Sequence, residues 1–294
     1  MTHPIDLPTT RSRRRFGAVC AAIVGLAGAL VACGPKQGSD APNAQSPERQ
    51  AEAEYDIARD LFQKAQPRQA LDHALKAVEL DDANAKVLYF TSNIYLFFCS
   101  TELGFTSPDC RMDDAEKFAR RAIKADGGFR DAKNLLGVIL LNKGSYGEAI
   151  KVLEPLVNDP SYAQSYLAWG NLGWAQVQAG QVDAGIQSLK NSVTQPQFCV
   201  GHYRLGVAFE KKGDLGQAEQ SLTNALSVED ESCKNLQDAW EARGRVRRAM
   251  GKAGEAKVDY EKCREISAKT KTGKECLRVL AQIGAGGAKA PSAP

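Results

Sequence analysis

The chain has 294 residues, 25% of them charged and 43% apolar, which is enough apolar material for a large core or a long repeat array. Its 38 Lys and Arg outnumber its 35 Asp and Glu for a formal charge of +3, and the whole excess sits in residues 1–32, where four arginines face only Asp6. The remainder is neutral, so the basic balance of the whole chain gives no support to nucleic-acid binding, which wants a concentrated cationic face, and no nucleic acid is expected as partner; membrane attachment must come from something other than a polybasic surface.

Arg11, Arg13, Arg14 and Arg15 precede an apolar run from Phe16 to Val31, too short for a comfortable membrane span, so residues 1–32 read as an export signal. The run ends in Leu30-Val31-Ala32-Cys33, which resembles a bacterial lipobox. The resemblance implies cleavage before Cys33, a diacylglycerol thioether on its sulfur, and anchoring to the lipid bilayer. An Asp after the cysteine would resemble an inner-membrane retention signal, so Gly34 implies the outer membrane, with the protein facing the periplasm. Ser12-Arg13-Arg14-Arg15-Phe16 also resembles a twin-arginine signal, implying export after folding, whereas a chain needing several disulfides is more naturally exported unfolded. Residues 33–50 hold three prolines and no helical period, and are expected to be the lipidated cysteine and a flexible tether.

Residues 51–268 are organised by a unit best seen at Tyr203 to Asp230. Gly206 stands where two helices must pack closely, Phe209 follows, Gly213 ends the first helix, and Ala218, Leu222 and Ala225 mark one face of a second. This unit resembles a tetratricopeptide repeat. Aligning the small residue of the first helix gives Ala58, Ser92, Gly137, Gly173, Gly206 and Gly244, spaced by 34, 45, 36, 33 and 38 residues against a period of about 34. The second-helix small residue follows at Ala70, Ala115, Ala149, Gly185, Ala218 and Ala256. A generic helical bundle would not keep this double register. The expected fold is all-α, a right-handed superhelical solenoid of six helix-turn-helix repeats, closed by a capping helix over 269–283 and followed by a disordered tail over 284–294.

Six cysteines remain once Cys20 leaves with the signal and Cys33 is acylated, and six allow 15 pairings. The repeat register selects among them. About eleven residues are inserted in the second repeat, bracketed by Cys99 and Cys110. Cys199 opens the fifth repeat and Cys233 lies in the extra residues after it, at the same end of the solenoid. Cys263 ends the sixth repeat and Cys276 lies in the capping helix. The expected bridges are therefore Cys99/Cys110, Cys199/Cys233 and Cys263/Cys276, with free buried thiols as the alternative. Metal binding is disfavoured by the lack of any Cys-x-x-Cys spacing or histidine cluster, and no cofactor is expected.

Enzymatic chemistry finds little purchase. After the signal only His73 and His202 remain, and the chain has no phosphate loop, nucleophile elbow or HExxH motif. Binding of protein is the better expectation. In the repeat class resembled, the first helices line a concave groove, and their inward positions map to Tyr55, Arg59, Phe62, Tyr89, Asn93, Leu96 and Phe97 in the first two units. Asn134, Val138, Leu141, Leu167, Trp174, Val177, Tyr203 and Val207 continue the line, and Glu241, Arg245 and Arg248 end it. The packing positions are assigned instead to Leu61, Leu136, Leu172 and Leu205, so the groove aromatics are expected to lie outside the inter-helix packing. Repeats that clamp acidic chain ends carry polar groups where Tyr55 and Trp174 stand here, which disfavours a chaperone-tail binder.

The lipobox, tether, six repeats, the stretch Asp159 to Gln164 and the stretch Asn171 to Val193 together resemble the pilotin lipoproteins of type IV pilus systems, the Tgl/PilW family. The resemblance covers the repeat region and implies an outer-membrane factor that promotes assembly and stability of the pilus secretin, with the secretin as protein partner and no small-molecule substrate. A general adaptor lipoprotein scaffolding envelope enzymes or proteases is the alternative, and a periplasmic hydrolase a third class.

Overall fold

A computed structural model describes residues 46–100 and 107–287 of the chain. The export signal, Cys33, the tether up to residue 45 and the tail from residue 288 lie outside the described residues. The first helix, α1 (Pro47–Gln63), starts inside the stretch expected to be tether. Ser46 caps it by accepting the Arg49 N–H at 3.4 Å, Pro47 occupies a first-turn position where no N–H is needed, and Glu48 faces the positive end of the helix dipole. The tether boundary at residue 50 is thus corrected: Ser-Pro here is a helix start.

Five further hairpins follow from the same register. After α1 and α2 (Pro67–Leu80) come α3 (Ala85–Cys99) with α4 (Met112–Ala125), and α5 (Arg130–Asn142) with α6 (Tyr146–Val157). The next pairs are α7 (Ser165–Gln178) with α8 (Val182–Ser192), and α9 (Cys199–Lys212) with α10 (Leu215–Leu226). A four-residue α11 (Glu231–Lys234) precedes α12 (Gln237–Ala249) and α13 (Ala253–Ile266), and α14 (Lys271–Gly287) closes the array. No strand occurs among the described residues. The architecture is a tetratricopeptide-repeat solenoid in which each hairpin packs on its neighbours.

The small-residue register sets how closely the two helices of a hairpin approach. Ala70, Ala115, Ala149, Ala218 and Ala256 are all fully buried. In the fourth unit two glycines face each other: a Cβ on Gly185 would lie 2.8 Å from the Gly173 carbonyl oxygen and 2.5 Å from Val177, so alanine does not fit there. Ser92 in the second unit uses its small polar side chain differently, donating to the Ala115 carbonyl at 2.7 Å. Gly213 terminates α9 with φ of 89°, a left-handed C-cap that glycine adopts without steric cost.

The apolar core runs as successive clusters along the solenoid, as nearest-neighbour stacking requires. At its C-terminal end the core turns polar. Asp259, fully buried, accepts from Arg243 at 2.7 and 3.1 Å and from Arg247 at 3.0 Å, and Arg247 reaches back to Glu219 on α10 at 2.9 Å. The cap is fastened by Gln237, whose side chain donates to the Cys263 and Ser267 carbonyls, each at 2.6 Å, and by Thr272 donating to Asp238 at 2.6 Å. α14 continues to Gly287, four residues beyond the expected end at 283 and into the stretch expected to be tail.

Candidate binding groove on the inner helices

The first helices of successive repeats touch one another along one face of the solenoid, α3 with α5, α5 with α7 and α7 with α9. Between them lies a cavity of about 480 Å³. Its walls are Tyr89 and Leu96 of α3, Asn134 and Val138 of α5, Leu167 and Asn171 of α7, and Arg204 of α9. The segment from Val228 to Cys233, including the start of α11, forms one lip. The extra residues after the fifth repeat therefore build part of the site.

Polar side chains of neighbouring repeats form a ladder across the cavity. Asn171 donates its amide Nδ2–H to Asn134 Oδ1 at 3.0 Å, and Arg204 donates through Nη1 to Asn171 Oδ1 at 2.8 Å and to the Gly170 carbonyl at 3.2 Å. Trp174 lies beneath the guanidinium, 5.9 Å from ring centroid to Cζ. Arg204 is half-buried, and that burial pushes its pKa down to about 10. Burial likewise pushes the Tyr89 hydroxyl up to about 12, keeping it protonated across the physiological range.

Of the residues expected to line the groove, Tyr89 and Leu96 line this cavity, with Asn134, Val138 and Leu167. Tyr55, Arg59, Phe62 and Phe97 instead form a second patch at the N-terminal end. Phe62 meets Phe97 edge-on at 5.2 Å and Phe90 at 5.7 Å, Tyr55 meets Phe90 at 5.5 Å, and the Arg59 guanidinium stands 5.5 Å from the Tyr55 ring. Phe97 is 40% exposed, one of four large apolar side chains so exposed among the described residues. Leu141, Trp174 and Tyr203 do not line the cavity; they pack against the core.

The expectation that the groove side chains lie outside the inter-helix packing is corrected. Leu96 is 4% and Val177 1% exposed, both within the core, and Tyr55, Phe62, Tyr89, Leu141, Trp174 and Tyr203 are partly buried against it. The reason is the stacking of repeats. An inward residue of one first helix also packs on the adjacent repeat, as Tyr89 does on Phe129 at 4.9 Å. Asn171 and Arg204 were missed because they sit two residues before the small glycine, a position that the second, third and sixth repeats fill with Phe90, Leu135 and Ala242 and the first with Asp56, so no common character marks it. The sequence pattern alone carries no signal that sets these two apart.

Three disulfides frame these features. Cys99 is bonded to Cys110 with Cα atoms 4.4 Å apart, Cys199 to Cys233 at 5.8 Å, and Cys263 to Cys276 at 6.3 Å. The second fastens α11, the lip of the cavity, to the start of α9. No group of three or more His, Cys, Asp or Glu that could hold a metal occurs among the described residues, and no described helix is long and apolar enough to cross a membrane.

Helix hairpins in this register, stacked to leave a cavity along their first helices, define the tetratricopeptide-repeat fold. Two tetratricopeptide-repeat profiles match the sequence, over residues 111–163 and 201–231. Among solved structures the chain is similar to PilW, described as a widely conserved type IV pilus biogenesis factor, with 20% identity and a TM-score of 0.63, over 77% of this chain and 98% of that one. It is also similar to PilF of Pseudomonas aeruginosa, with 15% identity and a TM-score of 0.60, over 80% of this chain and all of that one. Cut9, in the Cut9–Hcn1 hetero-tetramer of the APC/C, shares the fold at 14% identity and a TM-score of 0.65, over 79% of this chain and 43% of that one. By sequence, no curated protein matches.

Proposed function

We propose that this chain is an outer-membrane lipoprotein, anchored through acylated Cys33 and facing the periplasm, that binds the type IV pilus secretin and promotes assembly and stability of its multimer. It acts by binding alone and catalyses no reaction. Pilus extension and pilus-dependent motility then depend on it indirectly. The observation that carries this reading is the likeness to PilW, which takes in nearly the whole PilW chain rather than an isolated repeat pair. The cavity and the exposed Phe97 patch on the inner helices supply surfaces on which a secretin segment would lie.

The test compares secretin multimers on outer membranes with and without this protein. Loss of multimers with retained secretin monomer is expected; unchanged multimers overturn the reading. A general adaptor lipoprotein is the second reading, favoured by the likeness to Cut9, a protein of another assembly altogether. It predicts that affinity capture returns murein enzymes or proteases in place of the secretin.

A further inference from the structure

Arg204 is a cation with no anion. Its Nη1 carries both of its hydrogen bonds, to Asn171 and to the Gly170 carbonyl. Among the described residues no carboxylate lies within ion-pair distance of it, although the chain pairs most of its other inner-face cations: Arg245 on α12 is held by both Glu210 and Glu241, at 2.7 and 2.5 Å. The acids nearest the cavity are engaged or set apart. Three acids line the cavity: Asp131 on α5 lies beside Tyr89 and Tyr162, Glu229 pairs with Lys234 at 3.1 Å, and Asp230 caps α11; none of them pairs with Arg204. Burial lowers the basicity of Arg204 and no carboxylate offsets it.

A half-buried guanidinium gives up part of its hydration, and without a carboxylate partner nothing in the chain makes up that loss. The geometry of the guanidinium indicates what would. With Nη1 occupied, the three N–H donors on Nε and Nη2 remain, and that edge is the planar fork that grips a carboxylate by two parallel hydrogen bonds. Asn171 and Trp174 hold the fork in orientation, so little side-chain entropy is left to lose. Around it Tyr89, Leu96, Val138 and Leu167 give the walls apolar and aromatic stretches between polar ones such as Asn134 and Gln164.

We propose that the cavity binds an extended segment of the partner protein that carries an Asp or Glu side chain between apolar residues, the carboxylate seated on the Nε and Nη2 edge of Arg204. This rests on the reading of the groove as a protein-binding surface and adds the chemical signature of its ligand. A side chain is the source rather than a chain end because the walls span four successive repeats, α3 to α9, on one side of Arg204, and the Val228 to Cys233 lip continues beyond it, so both sides take the residues flanking the acid.

The test uses the chain from residue 34 onward and an array of overlapping 15-residue peptides covering the periplasmic parts of the secretin and of other envelope proteins, one set with amidated ends and a parallel set with free C-termini. Peptides that bind are remade with each acid changed to its amide. In the expected result one Glu→Gln or Asp→Asn change weakens binding roughly thirty-fold or more, the cost of truncating one partner of a desolvated charge pair. Arg204→Gln weakens the parent peptide equally and the amide peptide no further, while Arg204→Lys, keeping the charge but not the fork, recovers part of the loss. A thermal melt on each variant separates lost binding from lost fold; should Arg204→Gln unfold, Arg204→Lys and the peptide changes carry the comparison. Binding indifferent to both acid and Arg204, binding that appears only with a free peptide C-terminus, or no binding peptide at all overturns the proposal. Arg204-dependent peptides drawn only from proteins other than the secretin leave this inference standing and remove the secretin reading. Secretin multimers that need the protein but ignore Arg204→Gln do the reverse.

Discussion

Leu96 and Phe97 are adjacent on α3, yet one is 4% and the other 40% exposed, so truncating each should separate folding from binding. Leu96→Ala empties a site within the continuous core of the first four repeats and should cost about 2–5 kcal/mol. Phe97 keeps a large part of its ring in water and loses chiefly its edge contact with Phe62, so Phe97→Ala should cost about 1–2 kcal/mol, part of the roughly 1.5–3 kcal/mol of a fully buried ring. For a domain of this size each kcal/mol moves the melting temperature by about 2–4 °C. Thermal melts of purified protein should therefore drop by roughly 5–20 °C for Leu96→Ala and by only about 2–8 °C for Phe97→Ala. Secretin multimers on membranes should fall with Phe97→Ala although its melt stays cooperative. Equal melting shifts would refute the burial argument, and full multimers with Phe97→Ala would remove this patch from the interface.

Cys33→Ala should abolish incorporation of labelled fatty acid and release the protein from the outer membrane, since each buried methylene contributes about 0.8 kcal/mol to anchoring; a variant still labelled and still membrane-bound refutes the lipobox. Cys276→Ser opens a loop of 13 residues and should cost about 3 kcal/mol, with hydrogen-exchange protection lost first in α14; uniform loss along the chain would contradict the nearest-neighbour stacking. Burial lowers the pKa of His202 below its ordinary 6.5, so the folded state binds its proton less readily than the unfolded one. Stability from this group is full above pH 6.5 and is lost as pH falls through the folded value. His202→Gln should flatten the melting temperature between pH 7 and 5, and an unchanged slope would show that other groups set it.

The register of the solenoid was legible because close helix approach admits only Gly, Ala or Ser, and Gly137, Gly173 and Gly206 recur beside Ala149, Gly185 and Ala218. Spacing likewise revealed where the array departs from its period: the 45-residue gap holds the insertion after α3 and the 38-residue gap holds α11. The groove was legible only in part. Assigning inward positions within one repeat takes no account of the next repeat packed on the same face, so Tyr89 and Trp174 read as free when they are half-covered by their neighbours. Arg204 escaped notice because its importance lies in what fails to pair with it, and that depends on distances between repeats. At the N-terminus Ser46 and Pro47 belong equally to linkers and to helix starts, and only the bond to the Arg49 N–H distinguishes the two.

Each of the three disulfides joins cysteines 11, 34 or 13 residues apart, so none crosses more than one repeat length. Every one of them staples a piece that the regular stacking would hold poorly: an inserted stretch, a four-residue helix, a terminal helix. Among the described residues, the regular hairpins carry no covalent tie to distant ones. Curvature of the solenoid therefore rests on side-chain contacts between adjacent hairpins, much as the set of a leaf spring rests on the friction between its leaves. A partner whose own shape changes as it assembles could be followed by this surface without any bond being broken.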